Sequence, residues 1–138
     1  MEAVTPKLML VENDPYFIYL LRLYAEQSGF LVISTNSGLG AVTMAQQECP
    51  AVILLELELP EVTGWEVLHE LRSEPLTEAI PVVLCVWQDS EDRCDVGHLD
   101  GLLHKPLQYE DFVAALKGVG VWPGDGSQKP RRSSTVMA

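Results

Sequence analysis

The sequence predicts an α/β protein built on a doubly wound parallel sheet, and three observations carry that prediction. Short apolar runs recur at Leu8–Val11, Leu31–Ile33, Ala51–Leu55, Val82–Val86 and Leu102–Leu103, each too short for a helix. The longer runs are apolar without interruption, as strands covered on both faces are. Between most of them lie stretches with helical start and stop signals, and strands alternating with helices read as parallel crossover units.

Each element has its local cause. Asp14-Pro15 supplies a cap and a proline at the first helical position, so a helix is expected to Ser28, with Gly29 as its stop. Asn36 or Ser37 caps a second helix through Gln47, and Pro50 ends that stretch. Gly64 opens a third through Arg72, with Val67, Leu68 and Leu71 as its inner stripe. Pro81 precedes the fourth strand. A last helix is expected from Gln108 to Lys117, with Phe112, Val113 and Leu116 on one face and Gly118 as its stop. Right-handed crossovers and this length give a flavodoxin-like sheet of five strands in the expected order 2-1-3-4-5.

Composition narrows the function. The chain has 138 residues, 47% hydrophobic and 21% charged, with 20 acidic against 9 basic side chains and a net charge of −11. That is one soluble domain's worth, able to bury a core without disulfides or metals. Phosphate backbones and anionic membranes need a basic face, so neither nucleic acid nor a membrane surface is an expected partner. Cys49, Cys85 and Cys94 are odd in number and form no CxxC, which fits a reducing cytoplasm. No basic-then-apolar leader and no long apolar span is present, so a cytoplasmic location is expected. Residues 123–138 are rich in Gly, Pro and Ser and carry a net +2, which leaves −13 on residues 1–122. They read as a flexible basic tail on an acidic domain. Arg131-Arg132-Ser133-Ser134 has the form of a basic kinase site, a string common by chance.

In a sheet of this kind the site lies at the carboxyl ends of the strands. Those ends read Glu12-Asn13-Asp14, Glu56-Leu57-Glu58, Val86-Trp87 and His104-Lys105-Pro106. Acids on loops suit a hard divalent cation, and a lysine opposite them suits a phosphoryl group.

The stretches Leu10–Pro15, Ala51–Arg72, Pro81–Leu84 and Leu102–Pro106 together resemble the receiver domain of two-component response regulators, over about residues 7–118. The resemblance implies phosphotransfer from a histidine kinase to an aspartate after strand three, with Mg²⁺ held by an acidic pair after strand one. It also implies a Thr or Ser after strand four, a Lys after strand five and an aromatic switch residue in strand five. Position by position, the acceptor is Glu56, the pair is Glu12 and Asn13 with Glu58 nearby, the hydroxyl is Val86, its small neighbour is Trp87, and the aromatic is Leu102. Lys105, Pro106, Pro60 and Gly64 keep the pattern.

These departures have physical consequences. A methylene moves the attacking oxygen by about 1.5 Å, and a misplacement of ~1 Å costs on the order of 10²-fold in transfer. Asn13 removes a charge from the cation site, so no cofactor beyond weakly held Mg²⁺ is expected. Val86 cannot donate a hydrogen bond to a phosphoryl oxygen, and Leu102 carries no ring.

The resulting expectation is an atypical, or pseudo-receiver, domain: a non-enzymatic, phosphorylation-independent signalling module acting by protein–protein contact. Its partner is another signalling protein or a second copy of the chain. Tyr16, Tyr19, Trp87 and Leu102 are the candidate contact residues. A degenerate but working phosphoacceptor in a phosphorelay is the alternative. A small-ligand binder would need a Gly-rich loop after strand one, where Glu12-Asn13-Asp14-Pro15 has none. With no phosphoryl group between them, Glu56 and Lys105 are expected within ion-pair reach. The link Trp87–Gly101 is shorter than the resembled family's and is expected to hold a reduced helix, capped at Asp89 or Ser90 and stopped at Gly97. Cys94 and His98 stand four apart without a second cluster, so a metal site there is not expected. His69 falls on the outer face of the third helix.

Overall fold

The structure is a computed structural model that describes residues 5–87 and 99–123. Strands β1 (Lys7–Val11), β2 (Leu31–Thr35), β3 (Val52–Glu56), β4 (Val82–Trp87) and β5 (Gly101–Lys105) form one sheet in the order β2-β1-β3-β4-β5. Every neighbouring pair is parallel, with Leu55 beside Leu84 and Trp87 beside Lys105 in register. Helices α1 (Pro15–Gln27), α2 (Ala41–Glu48), α3 (Gly64–Ser73) and α4 (Tyr109–Gly118) cover its two faces. The predicted fold class and strand order are those observed. The expected reduced helix between β4 and β5, its caps, the Cys94–His98 pair and the tail beyond Pro123 lie outside the described residues.

The pleat sorts the core. Leu8, Leu10, Val52, Leu54, Val83, Cys85 and Leu103 point to the side of α1 and α4, against Phe17, Leu21, Phe112 and Leu116. Met9, Val11, Ile53, Leu55, Val82, Leu84 and Val86 point to the side of α2 and α3, against Ala45, Val67, Leu68 and Leu71. Successive strand residues alternate between the two clusters, as a period of two demands.

Local chemistry sets the boundaries. Asp14 caps α1, its carboxylate accepting from Tyr16 N at 2.9 Å, and Gly29 follows with φ +99°. Thr63 and Glu66 form a reciprocal capping box on α3. One expectation fails in detail. Ser37 caps a three-residue 3₁₀ turn, Gly38–Gly40, and α2 begins only at Ala41. The two glycines lower helix propensity there, and Gly38 lies against Val62, where an added Cβ would be 2.5 Å from Cγ2. Far from the strands' carboxyl ends, the Arg72 guanidinium donates to Glu78 O, Ile80 O and the Asp100 carboxylate at 2.8–3.1 Å. Asp100 in turn accepts from Val82 N at 2.9 Å. His69 is exposed, as expected. No helix among the described residues is long and apolar enough to cross a membrane.

Candidate functional site

The same alternation that sorts the core brings the site together. Glu56 continues the Val52, Leu54 side of β3, and Lys105 continues the Leu103 side of β5. Glu12 follows Leu8 and Leu10 one step past β1. All three side chains reach the α1 side of the sheet at its carboxyl edge. Lys105, Glu12 and Glu56 are 2%, 1% and 4% exposed, so one ammonium and two carboxylates share a nearly dry space.

Lys105 Nζ donates to Glu56 Oε1, and it lies 3.1 Å and 3.3 Å from the two oxygens of Glu12. Glu56 Oε2 accepts from Glu58 N at 2.8 Å, so both of its oxygens are engaged. Glu12 Oε2 also accepts from Asp14 N at 3.2 Å, whereas Glu12 Oε1 accepts no hydrogen bond. Phe17 forms a roof, with its ring centroid 4.1 Å from Nζ, and the Trp87 ring stands 5.6 Å away on the β4 side. Trp87 packs edge-on against Phe17 at 5.3 Å and keeps 43% of its surface exposed.

The electrostatics follow from two acids around one base. Burial, then the charge of Glu56, pushes the Glu12 carboxyl up to about 7, against the opposing pull of Lys105. Burial by itself would lower Lys105, but the hydrogen bond from Nζ to Glu56 and the charges of both carboxylates outweigh it and raise the ammonium's pKa. Burial also pushes the neighbouring Cys85 thiol up, which leaves it inert as a nucleophile.

The expected Glu56–Lys105 ion pair is present, and Glu12 joins it. Asn13, Asp14 and Glu58 line the mouth of the same cleft with Pro15 and Trp87, around a volume of about 420 Å³. Asn13 and Glu58 are exposed, at the rim above the buried cluster. Val86 is not in this cleft: it is buried on the α2 and α3 side with Leu84. Leu102 is 38% exposed and belongs to a separate groove between β5 and α4, shared with His104, Pro106 and Asp111. Tyr16 and Tyr19 are 62% and 66% exposed on the outer side of α1.

Sequence reasoning missed the roof. Phe17 sits three residues after the cap Asp14, so the first turn of α1 lays it over the strand ends, a spacing that was readable. The resemblance assigns Glu12 to the metal, and its bond to Lys105 depends on side-chain reach across the sheet that spacing does not fix. Among the described residues, no group of three or more His, Cys, Asp or Glu is placed to hold a metal ion.

Comparison with known proteins agrees with this geometry. The family model described as "Response regulator receiver domain" matches residues 8–117. The polar-differentiation response regulator DivK of Brucella ovis is 32% identical over 117 residues, covering 83% of this chain and 95% of that protein. Its counterpart in Brucella anthropi is 31% identical over 112 residues, covering 79% and 91%. Among solved structures, the Vibrio cholerae chemotaxis protein CheY4 superposes with a TM-score of 0.76 at 20% identity, covering 83% of this chain and 98% of that one. The bacteriophytochrome response regulator RtBRR gives 0.74 at 29% identity, covering 97% and 89%. A strand-end cluster of the expected kind, on the expected sheet, with relatives matched over nearly their full length, places this chain in the response regulator receiver domain family of two-component signalling.

Proposed function

We propose that this receiver domain signals without being phosphorylated, as a pseudo-receiver that acts by protein–protein contact in the cytoplasm. The observation that carries the reading is the Lys105 ammonium, tied to Glu56 and Glu12 and roofed by Phe17. In a working receiver, the lysine after strand five receives the phosphoryl oxygens. Here its positive charge is already matched, and Glu56, which occupies the acceptor position, is its principal partner. The Glu56 carboxylate serves as a fixed internal anion where a phosphoryl group otherwise arrives.

The remaining positions support the same reading. Both oxygens of Glu56 are engaged, so an attack on a phosphodonor has to break an ion pair or a hydrogen bond first. The donor set fits Mg²⁺ poorly. Glu12 is committed to Lys105, Asn13 offers only an amide, and Glu58 lies outside the buried cluster. Val86 supplies no hydroxyl and is turned to the opposite side of the sheet. Leu102 supplies no ring to switch. The contact residues in this reading are Tyr16, Tyr19, Trp87 and Leu102.

The test is direct. Incubation with acetyl phosphate and Mg²⁺ should leave the intact mass unchanged, and Glu56→Asp should remain unmodified because Asn13 and Val86 persist. A stoichiometric phosphoryl adduct on Glu56 overturns the proposal and restores the degenerate-phosphoacceptor reading.

A further inference from the structure

The cleft over Lys105 opens between exposed aromatic side chains. Tyr16, Phe17 and Trp87 form a row of edge-to-face ring contacts with centroids 5.1 Å and 5.3 Å apart, Phe17 buried and its two neighbours 62% and 43% exposed. Tyr19 follows one turn later along α1, 66% exposed. Asp14 and Glu58 stand at the mouth of the cleft. The Glu58 side chain is exposed and makes no hydrogen bond or ion pair to a described residue.

Charge is unbalanced here. Below the mouth, two carboxyl groups share one ammonium, with Glu12 Oε1, in a side chain 1% exposed, 3.1 Å from Lys105 Nζ. Above it stand two further carboxylates. Lys105 is the only basic residue among the described residues that line the cleft, and it is enclosed and committed. Lys7 and Arg22 are paired elsewhere, with Glu48 and Glu26, and Arg72 with Asp100.

We propose that this ledge docks an arginine-bearing segment of a partner protein, with the guanidinium lying against Trp87 between Asp14 and Glu58. The proposal rests on the reading that the domain acts by protein contact, and it names the chemistry of the contact. A guanidinium is planar, stacks on an aromatic ring and forks its donors to carboxylates, whereas an ammonium is a compact, strongly hydrated point charge. Tyr16 and Tyr19 then supply apolar area to the residues beside the arginine.

The probe is a blocked hexa-arginine peptide titrated into the isotope-labelled full chain, with hexalysine as comparator. The expected result is a saturable shift of the Trp87 indole N–H and tighter binding of arginine than lysine. Trp87→Ala should weaken binding at least about fivefold, and Trp87→Phe should restore part of the loss. The pair Asp14→Asn and Glu58→Gln should weaken it similarly, with the α1 cap kept because asparagine caps as well as aspartate. Glu70→Gln with Glu78→Gln removes the same charge from exposed positions elsewhere and should change little. Equal affinity for the two peptides, an equal loss in the Glu70 and Glu78 pair, or no saturable binding overturns the proposal. A phosphoryl adduct in the mass experiment would count against phosphorylation independence alone, so the two failures are distinguishable.

Discussion

Lys105 carries its charge into a space where only two carboxylates answer it, and this makes the residue both indispensable and replaceable in the right company. Lys105→Met leaves Glu12 and Glu56 facing each other with no cation, a loss of about 3–5 kcal/mol. Urea unfolding should register that loss, and Glu56→Gln added to Lys105→Met should recover a good part of it. Glu12 makes a different prediction. Its carboxyl is held at about 7, above its ordinary value of 4.5, so the folded chain keeps a proton that the unfolded chain releases. Stability from this group therefore falls as pH rises from about 4.5 to 7. Glu12→Gln removes that dependence. Unfolding free energies at pH 5 and pH 8 should lie closer together in the variant, by an amount on the order of 1–3 kcal/mol. An unchanged pH profile would mean that another group carries the dependence.

At the scale of elements, the approach of α3 to β3 positions the site from behind. Gly64 donates to Leu57 O at 2.7 Å, and a Cβ there would lie 2.5 Å from Glu56 O and 2.8 Å from Leu57 Cα. Backbone cannot yield as a flexible side chain does, so Gly64→Ala must push the start of α3 off the end of β3. We expect a loss of about 1–3 kcal/mol, accompanied by a chemical-shift change at the Glu58 amide that bonds Glu56. A shift confined to α3 would show that β3 does not feel the substitution. The sequence made these elements legible to different degrees. The first four strands announced themselves as apolar runs too short for a helix, β5 only as Leu102-Leu103, and α1 by the start signal Asp14-Pro15. The beginning of α2 did not. Ser37 is a genuine cap, but Gly38 and Gly40 loosen the turn it starts, and Gly38 lies so close to Val62 that only a residue without a Cβ fits, a contact the sequence does not show. The site was legible as a set of strand ends. Which faces those ends present, and hence that Val86 turns away while Phe17 covers Lys105, followed from the pleat register and the placement of α1, both tertiary facts.

For the whole molecule, charge sets what can approach. A net charge of −11 repels phosphate backbones and anionic lipid alike. The full chain should leave a random-sequence DNA duplex unshifted in a gel at physiological salt, and a shift would point to the basic segment beyond Pro123 as a nucleic-acid contact. The receiver family supplies the fold, while in the proposed reading the positions that the resemblance assigns to phosphotransfer, Glu56, Asn13 and Val86 among them, hold other side chains here. In the proposed reading, retaining the architecture while filling its reactive corner leaves the surface as the means of signalling.

The Arg72 clasp has a mechanical consequence for that surface. By gripping Glu78 O, Ile80 O and Asp100 together, and through Asp100 the Val82 amide, it fastens the entrances of β4 and β5 to the end of α3. The opposite ends of those two strands carry Trp87 and Lys105. Because the two strands run in parallel register from that clasped end, the clasp also sets how far each reaches at the carboxyl edge, and so where Trp87 and Lys105 stand beside each other.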